Sequence, residues 1–230
     1  MVRALLLSTS RTFAAPRPLD HAMPAVRAFL EGVKELVFVP FALRDRAGYT
    51  ARIAARLAED GIRVRGLTPH GEGRRVLQDA EAVFVGGGNT FRLLKTMQDA
   101  DLLGVLGERV RAGLRYMGAS AGSNLAGPTI MTTNDMPIVQ PAGFLALGLV
   151  PFQINPHYVD PDPASRHMGE TREERLREYL EENDRMVVGL REGSWLEVED
   201  AGATLRGPLT ARVFQRDREP REAEPDTVLE

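Results

Sequence analysis

Tyr116-Met117-Gly118-Ala119-Ser120-Ala121-Gly122-Ser123 is the stretch on which the reading of this chain turns. Two large apolar residues end a buried strand, G-x-S-x-G follows at once, and a helix is predicted from Ala121. Small residues around Ser120 suit a strained strand-to-helix turn, where larger neighbours would clash through their Cβ atoms. Such a turn lifts the serine hydroxyl clear of the sheet, and the N-terminus of the next helix favours a negative charge developing beside it. A plain glycine-rich turn has the same spelling, so Ser120 needs partners before it means chemistry.

Upstream, short apolar or β-branched runs at residues 4–7, 35–39, 62–64 and 81–85 alternate with helix-like stretches, the pattern of βα units feeding a parallel sheet. Residues 47–60 place Ile53, Ala54, Leu57 and Ala58 on one helical stripe, which Gly61 stops. Residues 91–113 read as one or two helices broken near Gly104 and Gly107. Downstream, a Pro- and Gly-containing region runs to Tyr158 and is expected to form functional loops. Thr171-Arg172-Glu173-Glu174 spells a capping box and opens a charged helix that turns Leu176, Tyr179 and Leu180 inward and ends near Asn183. Runs at 186–190, 194–198, 203–206 and 211–215 predict strands added antiparallel at the sheet edge. The expected fold is α/β: a doubly wound, mostly parallel sheet flanked by helices, with antiparallel strands near the C-terminus. A single domain over residues 1–215 and a charged, flexible tail over 216–230 complete the expectation.

The 230 residues are 43% hydrophobic and 27% charged, enough apolar surface to bury a core. The tail, with three arginines against six carboxylates, accounts for the whole formal charge of −3. No clustered basic excess argues for nucleic acid or a membrane surface as partner. The absence of cysteine excludes a disulfide framework, a thiolate zinc site and a cysteine nucleophile. The apolar run at 4–7 is shorter than the roughly 7–15 residues of a signal sequence, and no run approaches the roughly 18 needed to span a bilayer. A cytoplasmic location is expected. No H-E-x-x-H or other metal-ligand spacing occurs, and Asp160 and Asp162 near His157 do not make one, so neither metal nor cofactor is expected.

A serine hydroxyl is a weak nucleophile until a base takes its proton. Of the four histidines, His21 and His70 lie in polar early loops and His167 among Asp, Ser and Arg. His157 follows Ile154-Asn155-Pro156, whose proline restricts the backbone just before it, and is the candidate base. Two carboxylates compete to orient it. Glu192 lies in the turn after the apolar run 186–190, where α/β sites collect, whereas Asp135 precedes the histidine in chain order. Spacing does not choose between them.

Gly86-Gly87-Gly88-Asn89-Thr90 leaves backbone N–H groups free between a strand and a helix. It lacks both phosphate-loop spellings, yet a phosphate-binding module remains an alternative to catalysis. The other reading is half of an oxyanion hole, in which the Gly88 N–H joins that of Ala121. Arg172 occupies the first turn of the predicted helix, where its charge opposes the macrodipole. It solvates that helix, like Arg175 and Arg177, unless a cation so placed has another task.

Taken in order, Gly86-Gly87-Gly88-Asn89-Thr90, Gly118-Ala119-Ser120-Ala121-Gly122-Ser123, Asn155-Pro156-His157, Gly169-Glu170-Thr171-Arg172-Glu173 and Gly189-Leu190-Arg191-Glu192-Gly193-Ser194-Trp195 closely resemble peptidase E, the α-aspartyl dipeptidase family. The resemblance covers most of the chain. It implies a fold like that of class I glutamine amidotransferases, with serine in place of their cysteine. It also implies Ser120 as nucleophile, His157 as acid and base, Glu192 as orienting carboxylate, and Gly88 and Ala121 as oxyanion donors. The implied substrates are small peptides with N-terminal aspartate, whose side chain a fixed cation must meet; Arg172 fits that need. Asn89, Asp135 or Glu170 would accept from the substrate amine, and a homodimer is an expected assembly. A cyanophycinase-like β-aspartyl peptidase is a sister reading, and a generic esterase would make His167 essential.

Overall fold

The structure is a computed structural model describing every residue except Ser165, His167, Ala201 and Glu230. In chain order it runs β1 (Arg3–Leu7), α1 (Met23–Phe29), β2 (Glu35–Val39), α2 (Arg46–Ala58), β3 (Arg63–Gly66), α3 (Gly73–Asp79), β4 (Ala82–Val85), α4 (Thr90–Asp99), α5 (Leu102–Arg111), β5 (Arg115–Ala119), α6 (Ala121–Leu125), β6 (Gln153–Pro156) and α7 (Arg172–Glu182). The strands β7 (Val187–Leu190), β8 (Trp195–Glu199), β9 (Gly202–Arg206), β10 (Ala211–Phe214), β11 (Arg221–Ala223) and β12 (Val228–Leu229) follow.

Eight strands form the main sheet in the order β12-β9-β8-β1-β5-β4-β2-β3. The five from β1 to β3 are parallel, and β8, β9 and β12 run antiparallel on one side. Strand β1 sits inside the sheet because both its faces are apolar. Ala4 and Leu6 enter one core, Leu5 and Leu7 the other, and none is more than 2% exposed. Helices α1 and α2 cover the second core, which holds Val26, Tyr49, Ile53 and Leu57. Helices α3 to α6 cover the first.

The C-terminal strands depart from the expectation of one antiparallel addition. Only β8, β9 and β12 join the main sheet; β7 and β10 belong to a second sheet, ordered β11-β10-β7-β6, in which β6 and β7 are parallel. Strand β7 must bury both faces: Val188 and Leu190 enter the main core, while Val187 packs with Phe214 under Leu176 and Leu180 of α7. An edge strand would leave one of those faces wet.

The expectation of a flexible tail is also corrected. Residues 221–223 pair with β10 and 228–229 with β9, burying Ala223 and Leu229. The tail's charges find fixed partners, chiefly Glu222 with Arg191, Arg212 and Thr210. The break between α4 and α5 falls at Ala100-Asp101 and not at Gly104 or Gly107, which lie inside α5; Asp101, at φ 53°, makes the turn. No helix among the described residues is long and apolar enough to cross a membrane.

Candidate active site

Ser120 stands between β5 and α6 at φ 52° and ψ −111°, a region L-residues rarely occupy. Its neighbours hold it there. The Ser120 N–H donates to the Leu7 carbonyl at 3.1 Å, and the Ser120 carbonyl accepts from Ser123 and Asn124 at 2.9 Å. The Ser123 hydroxyl donates to the same Leu7 carbonyl at 2.6 Å, and the buried Tyr116 phenol donates to the Gly122 carbonyl at 2.6 Å. A Cβ on Gly122 would lie 2.1 Å from the Val85 carbonyl oxygen, so only glycine lets α6 start this close to β4.

His157 follows β6 of the second sheet, also with positive φ, 55°. Its N–H donates to the Ser8 hydroxyl at 2.9 Å, and that hydroxyl donates to the Leu190 carbonyl at 2.7 Å. Ser8 thus joins the ends of β1, β6 and β7. The ring makes two contacts: Nε2 lies 2.8 Å from Ser120 Oγ and Nδ1 lies 2.5 Å from Glu192 Oε1. With Nδ1–H donating to the Glu192 carboxylate, Nε2 carries the lone pair that accepts from the Ser120 hydroxyl.

Asp135 has different company. Its Oδ2 accepts from the Thr90 N–H at 2.7 Å, the Thr90 hydroxyl at 2.6 Å and the Thr133 hydroxyl at 3.2 Å, which ties its loop to the start of α4. The loop is also tied to the histidine strand. Asn155 donates to the Thr132 carbonyl and the Asn134 side chain, and Asn134 donates to the Pro156 carbonyl at 2.7 Å.

The glycine run offers one free donor. Gly86 donates to the Val39 carbonyl, Gly87 to the Tyr49 phenol at 3.0 Å and Asn89 to the Ala42 carbonyl, so only the Gly88 N–H lacks a partner among the described residues. Gly88 has φ 129°, and a Cβ there would lie 2.7 Å from the Ala42 carbonyl oxygen. A phosphate cradle needs several convergent amides, and this loop presents one. The Ala121 amide, first in α6, has no preceding turn to bond. Ser120, His157, Gly87 and Gly88 open onto a cavity of about 680 Å³.

Asn89, Asp135 and Arg172 do not line that cavity. The Asn89 side chain is spent as the N-cap of α4, accepting from Arg92 at 3.0 Å, and on the Met136 carbonyl, to which it donates at 2.9 Å. Arg172 lines a separate cleft of about 490 Å³ with Glu170 and Asp160. Its guanidinium makes no hydrogen bond or ion pair among the described residues; burial lowers its pKa, Arg175 adds to that, and Asp135 opposes both. Glu170 pairs with Arg175 at 3.4 Å. His167 lies outside the described residues. His21 is half-buried, and its two ring nitrogens are shut away from solvent with no hydrogen-bond partner among the described residues; burial lowers its pKa, and nearby Glu192 and Asp20 pull the other way.

Ser8 and Tyr49 are the positioning residues that the sequence reading passed over. Ser8 had a visible signal, a hydroxyl at the polar end of an apolar strand where α/β sites gather. Tyr49 had none, since on its helix it reads as core beside Ile53.

Comparison with known proteins gives the family. The model of peptidase family S51 matches residues 4–206. A protein named peptidase E from Streptomyces coelicolor is 56% identical over 218 residues, 95% of this chain and 90% of that one. Peptidase E of Citrobacter koseri is 47% identical, covering 94% of this chain and 95% of that one. A Drosophila melanogaster protein named "probable alpha-aspartyl dipeptidase" is 44% identical over 94% and 91%. Among solved structures, a peptidase from an acI-B1 actinobacterium shares the fold at TM-score 0.73 and 14% identity, covering 100% of this chain and 96% of that one. A candidate peptidase E protein from Listeria monocytogenes does so at TM-score 0.70 and 21% identity, over 91% and 100%. With the family model spanning most of its length and relatives near half identity along it, this chain belongs to peptidase family S51 and is a serine peptidase.

Proposed function

We propose that the protein hydrolyses dipeptides with an N-terminal aspartate, by acyl transfer through Ser120. The observation that carries this reading is a single imidazole, His157, bonded to Ser120 Oγ on one side and Glu192 on the other. Ser120 Oγ attacks the peptide carbonyl as His157 Nε2 takes its proton, and Glu192 stabilises the imidazolium. The oxyanion rests on the Gly88 and Ala121 N–H groups, each such donor typically worth about 3–4 kcal/mol of barrier. His157 then gives its proton to the leaving amine, and water activated by the same ring releases the aspartyl group.

The aspartyl side chain is assigned to Arg172, a half-buried guanidinium without an ion-pair partner among the described residues that feels the Asp135 carboxylate. The substrate amine is assigned to Asp135, whose Oδ1 accepts no hydrogen bond among the described residues. The Asn89 oxygen already caps α4, and Glu170 is paired. Relatives named peptidase E and α-aspartyl dipeptidase support the substrate class. A bidentate guanidinium fixes distance as well as charge, so a glutamyl substrate, one methylene longer, loses on the order of a hundredfold.

The test is release of free aspartate from Asp-Leu by the purified protein, beside Glu-Leu, Asn-Leu, Ala-Leu and β-Asp-Leu. Selective cleavage of Asp-Leu that Ser120→Ala abolishes and Arg172→Ala makes unselective is expected. Cleavage of β-Asp-Leu alone would move the reading to a β-aspartyl peptidase, and full activity in Ser120→Ala would overturn the mechanism.

A further inference from the structure

The cavity in front of Ser120 has a cationic wall that the steps above leave unused. Arg11, in the loop after β1, and Arg52, on α2, both line it, and no lining residue is acidic. The Thr9 hydroxyl fixes the Arg11 backbone, accepting from its N–H and donating to its carbonyl. The Arg11 guanidinium itself makes no hydrogen bond or ion pair among the described residues. Arg52 reaches only Asp45, at 4.0 Å, and Asp45 already accepts from Gly48 as the N-cap of α2. Both arginines stand about Tyr49. Arg52 lies over its ring at 5.6 Å, and although burial raises the phenol's pKa, both cations pull it back. Leu43, Ile53 and Ala55 supply apolar wall in the same cavity.

Two cations facing a cavity whose lining holds no carboxylate, with Asp45 reaching Arg52 only at 4.0 Å, favour an anion between them. Tyr49 also connects this wall to the chemistry, since its phenol holds Gly87 beside the free Gly88 N–H. If Arg172 takes the aspartyl side chain in the cleft that it lines, the residue that leaves occupies the cavity that His157 and Ser120 share with these arginines. We infer that Arg11 and Arg52 bind the free α-carboxylate of that leaving residue, forming a subsite that selects dipeptides, with an apolar wall for its side chain.

This inference rests on the function proposed above. It predicts a preference for dipeptides over longer peptides, because one more residue carries the terminal carboxylate roughly 3.3–3.6 Å further along an extended chain, away from fixed cations. It also predicts that leucine or another apolar residue is favoured in the leaving position.

The experiment measures kcat/KM for Asp-Leu, Asp-Leu-amide and Asn-Leu with the wild type, Arg11→Gln, Arg52→Gln, Arg52→Lys and the double glutamine variant. The wild type is expected to prefer the free acid over the amide on the order of 10- to 100-fold, the worth of a charge-assisted contact. In the double variant that preference falls to near parity, mostly through KM on Asp-Leu, while the preference for Asp-Leu over Asn-Leu persists; Arg52→Lys keeps part of the acid preference. A wild type that cleaves acid and amide equally overturns the subsite and leaves the dipeptidase function standing. Equal losses on acid and amide make the arginines structural and overturn it, as does collapse of the Asp over Asn preference, which would place them on the aspartyl side chain. A wild type that cleaves none of the peptides overturns the function, and the subsite falls with it.

Discussion

His157 Nδ1 lies 2.5 Å from Glu192 Oε1 although 35 positions separate them in the chain. The pair meets because His157 follows β6 and Glu192 follows β7, two parallel strands in direct register at Pro156 and Leu190. Base and acid therefore leave the same end of one small sheet, and they face a nucleophile that leaves the main sheet at β5. The reacting groups meet across the seam between two sheets.

That geometry separates the two carboxylates. Glu192→Gln is expected to lower kcat about 100- to 10,000-fold by disturbing the imidazole tautomer. Asp135→Asn is expected to act mainly on KM, because its bonded oxygen holds Thr90 and Thr133 rather than a histidine. Steady-state kinetics on Asp-Leu compares them; the reverse order of effects would transfer the orienting role to Asp135.

Tyr49→Phe removes the acceptor for the Gly87 N–H. An amide left unpaired in a buried place costs about 1–3 kcal/mol, and the loosened loop carries the Gly88 donor with it. A roughly tenfold drop in kcat with little change in KM for Asp-Leu is expected, alongside a lower melting temperature. An unchanged kcat would mean that the glycine loop holds its shape without the phenol.

Ser8→Ala breaks both bonds of the hydroxyl that joins His157 to Leu190. The expected cost is about 1–3 kcal/mol in denaturant unfolding, with a fall in kcat because His157 loses the contact that secures its left-handed backbone. Loss of stability without loss of kcat would confine Ser8 to the fold.

Glu222 is held down to about 2 from the ordinary 4.5, first by its hydrogen bonds from Arg191, against a smaller opposing push from burial. The folded state therefore holds this proton more weakly than the unfolded chain. The pair's stabilisation is complete above pH 4.5 and is lost as pH falls toward 2. Glu222→Gln should lower stability by at most about 1 kcal/mol above pH 5, since the carboxylate is partly exposed and screened. The gap between the melting curves should close between pH 4.5 and 2; a gap that persists at pH 2 would assign it to packing.

The parallel half of the fold was legible because residues 4–7, 35–39 and 81–85 are apolar on both faces, which only an interior strand tolerates. The division of the C-terminal strands was not. An apolar run such as 186–190 says strand, and which sheet it joins is decided by packing: Val187 lies under α7 and Val188 in the main core. The tail misled for a similar reason, since its charges read as solvated while Arg191 and Arg212, brought alongside by strand pairing, were waiting as partners. At the site, spacing left Glu192 and Asp135 open, because strand register is what brings a turn residue to a histidine. Asn89 looked free because capping a helix and binding a ligand ask for the same side chain. The arginine-lined wall was invisible, as Arg11 and Arg52 come from separate elements and no local motif links them.

At Gly122 a methyl group would come 2.1 Å from the Val85 carbonyl oxygen, and at Gly88 2.7 Å from that of Ala42. Neither carbonyl can retreat without opening the sheet or the loop that frames the nucleophile, so nearly every codon change at these positions removes the enzyme rather than altering it. The surrounding loops carry no such veto; Arg11 is exposed, and so are Met136 and Ile138. Mutational drift is thus channelled outward. Substitutions that alter substrate preference are expected at the rim and not at these two glycines.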